Sequence, residues 1–220
     1  MAQKKLENLW QKGRQQMLND VTVFNIREYL SAKGDKDLGE DELRQLLSEF
    51  FCDKNPDVER FLKEQSIEFT KKNQSVTYLV FSNEDASLVG YFTITIKPIT
   101  VNAENFSNTM KRKIARVSEL DEENGTYTLS AYLIAQLGKN FKDGANEKIT
   151  GEQLLHAAVD TIKELQYMAG GMVIFLEAED KEKLIHFYQE ENGFKQFDVR
   201  EMKCRDKDEI HKLVQLLKVM

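Results

Sequence analysis

The chain has 220 residues, 41% of them hydrophobic and 31% charged, with a formal net charge of −6. That length and composition suit one well-buried core, or one domain with an appended helical segment. The acidic balance argues against an extensive nucleic-acid footprint, which needs clustered Lys and Arg, while leaving room for a local basic patch. The polar start MAQKKLENLWQKGRQQ is unlike a signal peptide, and no apolar run approaches the roughly 20 residues that span a bilayer, so a cytoplasmic protein without membrane contact is expected. Cys52 and Cys204 lack metal-type spacing, and with three scattered histidines they make no zinc set.

Residues 1–50 read as a helical segment. Leu6, Trp10 and Met17 fall roughly on one face, and the runs Phe24 to Leu30 and Leu43 to Phe50 have similar spacing, punctuated by Gly34 and Gly39. In KNPDVERFLKEQSIEF, Asn55 suits an N-cap and Pro56 the first helical position, while Val58, Phe61, Leu62 and Phe69 form an apolar stripe. The period then changes. VTYLVF and LVGYFTITI, separated by SNEDAS, read as a hairpin of β-branched and aromatic residues, closed by Pro98.

Val101 to Asn124 gives no clear period, and its MKRKIAR, Met110 to Arg116, is a dense basic run of the kind usually found on a solvated surface. Thr126 to Gly138 reads as a long strand, and KNFKDGANEKI leads from it to a helix. Thr150 with Gln153 matches a capping box there, Leu154, Leu155, Ala158, Val159, Ile162 and Leu165 form its buried face, and Gly170-Gly171 ends it. MVIFLEA is a nearly continuous apolar strand, of the kind covered on both faces of a sheet. Asp180 as N-cap, the helix KEKLIHFYQEEN, Gly193 as C-cap, a strand from about Phe194 and a final helix carrying Ile210, Leu213, Val214 and Leu217 complete the chain. This order makes an α/β domain with a mixed sheet.

A Gly- and Lys-bearing loop running from a strand into a capped helix N-terminus can aim backbone amides at a phosphate. From Phe51 to Phe197 the chain resembles the GNAT superfamily of N-acetyltransferases. FLKEQSIEF stands as the early helix, TYLVF and LVGYFTITI as the hairpin, AYLIAQLG as the strand that contacts acetyl-CoA, TGEQLLHAAV as the helix after the pyrophosphate loop, and HFYQEENGF as the Phe-Tyr then Gly-Phe signature. IAQLGKNF and EAEDKEKLIHFYQEENGF look most like the branch that includes toxins acting on the amino group of aminoacyl-tRNA.

The resemblance implies a GNAT-like acyl-CoA N-acyltransferase fold over residues 51–220, a mixed central sheet flanked by helices, with residues 1–50 as an N-terminal helical extension. It implies acetyl-CoA as cosubstrate, held by the backbone near Leu137 and Lys139 and by a loop that includes Gly144, Asn146, Lys148, Ile149, Thr150 and Gly151. The family's loop pattern falls on Asn146, Ile149 and Gly151, so Ile149 stands where a glycine is usual. Tyr188 becomes the general acid that protonates the CoA thiolate, and four residues separate it from Gly193 where the family commonly has three. A packing role beside Leu184 and Ile185 is its other reading. Glu177 or Glu119 could serve as base, as could a water chain. His156 reads as a partly buried structural histidine, His186 and His211 as solvated helix positions, Phe187 as core, and Cys52 as a small buried residue. The implied partners are acetyl-CoA and an amine acceptor (a small amine, a protein or an aminoacyl-tRNA), and a second copy or partner protein on the N-terminal helices. A fold that has lost its cofactor and serves only to bind a protein is the competing expectation.

Overall fold

The computed structural model describes residues 16–18, 20–30, 39–203 and 210–220. Contacts divide the chain into two compact units, one of Met1–Thr95 with Ala135–Glu164, the other of Ile96–Ile134 with Leu165–Met220. No helix among the described residues is long and apolar enough to cross a membrane.

In the first unit β1 (Gln16–Leu18), β2 (Val21–Asn25), β3 (Val76–Ser82) and the start of β4 (Leu88–Asn102) pair antiparallel in that order. β3 and β4 are the expected hairpin. Tyr78 and Phe92 are direct cross-strand partners whose rings stack at 5.1 Å, and Thr77 and Thr93 share a hydrogen bond of 2.9 Å one step along. Such pairs are the unit of sheet stability, each contributing about 0.2–1 kcal/mol.

Helices α1 (Ile26–Leu30), α2 (Glu40–Ser48), α3 (Pro56–Arg60) and α4 (Ser66–Lys71) belong to the same unit, with a π-helical turn, Phe61–Gln65, joining α3 to α4. Asn55 caps α3 by accepting from the Val58 amide at 3.3 Å, with Pro56 just inside, as the sequence implies. Phe24, Ile26, Leu43 and Leu47 share one core with Leu79, Phe81 and Tyr91. The Tyr91 hydroxyl donates to the Val58 carbonyl at 2.6 Å and ties β4 to α3.

In the second unit β6 (Thr126–Lys139, up to Ile134), β7 (Val173–Glu179), β9 (Ile210–Val219) and β8 (Lys195–Lys203) lie in that order. β6 and β7 are parallel and the others antiparallel, so the sheet is mixed. A short β5 (Leu120–Asp121) pairs with the start of β6, and α5 (Asn108–Ile114) precedes it, capped by the Ser107 side chain. Helix α6 (Gly151–Ala169) begins in the first unit and ends in the second, and α7 (Glu182–His186) runs into a second π-helical turn, Phe187–Glu191.

Several expectations need correction. The final helix is strand β9: its residues pair with β7 from Val173↔Val219 to Glu179↔Leu213. β7 is apolar on both faces, and an unpaired row of its backbone groups would cost far more than the weak local preference of IHKLVQLLKV for a helix. Pro98 does not close β4, which continues to Asn102, because a strand tolerates proline where the ladder does not call on that N–H. Phe24 lies in β2 and Met17 in β1 rather than in helices. α7 begins with Lys181, not Asp180, at the N-cap. Leu6, Trp10, Gly34 and Cys204 lie outside the described residues, as does much of the segment expected to hold a second copy or partner protein.

Candidate active site

All eight residues expected at the cofactor (Leu137, Lys139, Gly144, Asn146, Lys148, Ile149, Thr150 and Gly151) fall in the first unit, along the end of β6, the loop behind it and the first residue of α6. What anchors this segment is a residue that the sequence did not single out. Asn140 is 4% exposed, and its Nδ2 donates to the Leu88 carbonyl at 2.8 Å. Its Oδ1 accepts from the amides of Phe51 at 2.9 Å and Lys142 at 3.1 Å, and its own amide donates to the Val89 carbonyl at 2.9 Å. One buried amide side chain thus joins the ends of three chain segments; nothing local in GKNF distinguishes it from an ordinary turn asparagine.

Just before it, the backbones of β4 and β6 approach through paired glycines. A Cβ on Gly90 would lie 2.9 Å from the Gly138 carbonyl oxygen, and one on Gly138 would lie 2.5 Å from Cγ1 of Val58.

The loop itself is a short 3-10 turn, Lys142–Glu147, interrupted by Asp143 and Gly144 at φ 51° and 75°. The space beside Gly144 is open, since a Cβ there would meet nothing within 4 Å. Ile149, at the position of the usual loop glycine, is 1% exposed: its side chain packs inward and takes no space on the loop's outer surface. Its carbonyl accepts from Lys139 Nζ at 2.7 Å, so the Lys139 side chain braces the loop. Burial, and secondarily the Lys54 cation, lower the pKa of that ammonium.

Thr150 and Gln153 form the expected capping box, with the Thr150 amide donating to Gln153 Oε1 at 2.8 Å and the Gln153 amide to Thr150 Oγ1 at 3.0 Å. The first-turn amides of Gly151 and Glu152 are left without an intrahelical acceptor and carry the positive end of the helix dipole. Lys148 pairs with the carboxylate of Asp85 and donates to Ser87 Oγ at 3.2 Å. The Lys148 hydrogen bond, followed by that of Ser87, pulls the Asp85 carboxyl down to about 2.

Tyr188 lies in the second unit, within the π-helical turn Phe187–Glu191. The turn explains how the extra residue before Gly193 is absorbed, because a π turn is an α-helix with one residue inserted. The Phe194 amide reaches back to the Tyr188 carbonyl at 3.0 Å, and Asn192 Nδ2 donates to the Phe187 carbonyl at 2.8 Å. The Tyr188 ring is partly buried, edge-on to Phe187 and Phe194 at 5.0 and 6.0 Å. Its hydroxyl has no hydrogen-bond partner among the described residues, and burial pushes its pKa up to about 12.

Of the two candidate bases, Glu119 is exposed, whereas Glu177 is partly buried on β7 and accepts from Gln215 Nε2 at 2.6 Å. His156 is exposed on α6, not partly buried, because the apolar residues on either side of it turn the helix face away. His186 is exposed beside Glu191 at 3.7 Å, and His211 lies in strand β9 rather than a helix. Phe187 is only partly buried, while Cys52 is 4% exposed with its thiol pKa raised by burial. No group of three or more His, Cys, Asp or Glu side chains among the described residues is placed to hold a metal ion.

No protein-family model matches the sequence, and no curated protein matches it. Solved structures do match. AtaT complexed with acetyl-methionyl-tRNAfMet superposes with a TM-score of 0.56 at 15% identity, over 89% of this chain and 94% of that one. A tyrosine-to-phenylalanine variant of KacT gives 0.57 at 16% identity, over 91% and 95%. A tyrosine-to-phenylalanine variant of the AtaT toxin, bound to the C-terminus of the antitoxin AtaR and acetyl-CoA, gives 0.52 at 14% identity, over 91% and 94%. The chain has the GNAT-like fold implied by its sequence.

Proposed function

We propose that this protein transfers an acetyl group from acetyl-CoA directly to an amine, and that the amine is the α-amino group of an aminoacyl-tRNA. The observation that carries the reading is the segment from Leu137 to Gly151: a strand end, an open loop and a capped helix start with two unengaged amides, in a fold shared with structures that hold acetyl-CoA and an acetylated aminoacyl-tRNA. Helix amides and their dipole suit a pyrophosphate.

In this reading the backbone at Leu137 and Lys139 pairs with the pantetheine arm, and the amides from Gly144 to Gly151, with Asn146 beside them, receive the phosphates. Lys148 exchanges Asp85 for a phosphate oxygen. Acetyl-CoA supplies an acyl carbon on a good leaving group, the CoA thiolate. As the acceptor nitrogen bonds to that carbon, the carbon–sulfur bond breaks, the nitrogen gives up a proton to solvent or a nearby carboxylate, and Tyr188 donates one to the sulfur. A hydroxyl with a pKa of about 12 is fully protonated at neutral pH and available to donate, although the same burial makes it a weaker acid than a free phenol. The aminoacyl-tRNA acceptor draws support from the basic last turn of α5, Lys111, Arg112 and Lys113, a local cationic patch on an otherwise acidic chain.

Calorimetry with acetyl-CoA and transfer of labelled acetyl to a mixture of aminoacyl-tRNAs test the proposal. The wild type is expected to bind and transfer, Gly151→Trp to lose binding, and Tyr188→Phe to bind normally while turning over about 100-fold more slowly, the low end for a lost acid catalyst. No acetyl-CoA binding by the wild type would sink the enzyme reading and leave a fold that binds only proteins.

A further inference from the structure

The loop after β6 is held at both ends, by Asn140 at its start and by the Thr150–Gln153 capping box at its finish. A third contact joins the two ends. The ammonium of Lys139, the last residue of β6, donates to the carbonyl of Ile149, the residue before the helix cap, and so closes the base of the loop. Ile149 precedes the cap and Leu154 is the fourth residue of α6, and each is 1% exposed. Apolar residues at those two positions form a staple that sets the angle at which a chain enters a helix. The Ile149 side chain is therefore committed to the interior and its carbonyl to Lys139. Within the closed loop Asp143 holds a φ of 51°, uncommon for a residue with a side chain and kept only where the surroundings enforce it.

The other two lysines of the segment have carboxylate partners, Lys142 with Glu49 and Lys148 with Asp85. The charge acting on Lys139 is instead a second cation, Lys54, which repels it. Removing the Lys139 ammonium therefore relieves a repulsion as it breaks a hydrogen bond, and the two effects offset each other in the stability of the whole fold. What is lost is local, the closure of the loop. We infer that Lys139 is a positioning residue: through the Ile149 carbonyl, and together with the Ile149 staple, its side chain holds the loop in one conformation, with the amides of Gly151 and Glu152 set to receive a phosphate before it arrives. A loop ordered in advance is not ordered at the ligand's expense, so affinity depends on a side chain that acts only through another residue. The ligand rests on the proposed acetyl transfer, whereas the closure of the loop does not. Glycine at position 149 would give up the staple and weaken binding rather than open room for the cofactor.

The test compares the full chain with Lys139→Met, which keeps the apolar stem without the donor, Lys139→Arg, which keeps a donor, Ile149→Gly, and Lys163→Met as a control on the exposed side of α6. Amide hydrogen exchange over residues 142–152 is read by mass spectrometry without ligand, beside thermal melting and calorimetry with acetyl-CoA. Lys139→Met is expected to exchange about 10-fold faster in that segment and to bind acetyl-CoA about 10-fold more weakly, the size of one charge-assisted hydrogen bond, with a melting midpoint within about 2 °C of wild type. Lys139→Arg should recover most of both losses, Ile149→Gly should exchange faster and bind more weakly, and Lys163→Met should match wild type. The Lys139 variants change a partly exposed side chain, so they decide the matter even where Ile149→Gly fails to fold. Unchanged exchange or unchanged acetyl-CoA affinity in Lys139→Met, or tighter binding by Ile149→Gly, would overturn the assignment. A wild type that binds no acetyl-CoA defeats the transferase reading and with it the phosphate role of Lys139, while the exchange measured without ligand still decides whether Lys139 closes the loop.

Discussion

Replacing Asn140 by alanine should destabilise the protein more than its place in a surface-connected loop suggests. Three short hydrogen bonds disappear, to the Leu88 carbonyl and from the Phe51 and Lys142 amides, along with a long 3.5 Å one to the Glu49 carbonyl that adds little. Each is worth about 1 kcal/mol net, and leaving the Leu88 carbonyl short of a donor adds up to about 1 kcal/mol more, giving about 3–4 kcal/mol in all. For a chain of this size each kcal/mol moves the melting midpoint by about 2–4 °C, so a drop of about 10 °C is expected. The assay is thermal melting followed by far-UV circular dichroism, with urea midpoints as a check on the free-energy difference. Asn105→Ala is the control: its Nδ2 makes a single 3.4 Å contact with the Phe197 carbonyl at an exposed position, so its change should stay within about 0.5 kcal/mol. Acetyl-CoA binding should weaken as well, because Asn140 sets the start of the loop. A loss in Asn140→Ala no larger than in the control would refute the idea that this side chain anchors the loop.

Gly138→Ala puts a methyl 2.5 Å from Val58 Cγ1 and should cost about 1–3 kcal/mol, the range for overpacking, with part of that recovered in the double variant with Val58→Ala; strict additivity in urea melts would show the two sites do not touch. Thr150→Ala removes half the capping box and should lose about 1 kcal/mol, whereas Thr150→Ser should not, again by urea melts. At alkaline pH the folded state holds Tyr78 near 12 and raises Tyr29 and Tyr91 as well, each through burial first. Folded values above the unfolded value of about 10 mean that stability is intact below pH 10 and is lost as pH climbs toward 12, by about 3 kcal/mol for Tyr78 alone. Tyrosinate absorbance should therefore rise together with loss of circular dichroism, and full ionisation of these groups in a folded protein would contradict their burial. Asp85 shifts the other way, so its pairing with Lys148 contributes above about pH 4 and fades as pH falls toward 2. Being exposed, the pair is screened, and Asp85→Asn should change the melting point little while strengthening acetyl-CoA binding at low salt, which calorimetry at two ionic strengths can check.

Much of the fold was legible because it rests on interactions between near neighbours. Asn55 with Pro56, Thr150 with Gln153, and the β-branched hairpin of Val76 to Ile96 each announce their structure within a few residues, and the resemblance built on those elements led to the GNAT-like fold. The extra residue before Gly193 was also visible, though not its outcome as a π turn around Tyr188. What the sequence could not show depends on partners distant along the chain. β9 is a strand because β7 offers it an unpaired edge, and Phe24 is a strand residue because β3 does the same. Asn140 became an anchor only when residues 49–51 and 88–89 were brought beside it, and Glu177 gained its setting from β9, more than twenty residues away. Local chemistry determined where elements start and stop; the need to pair buried backbone and bury apolar faces, a property of the assembled chain, decided which elements they became and which polar side chains were buried.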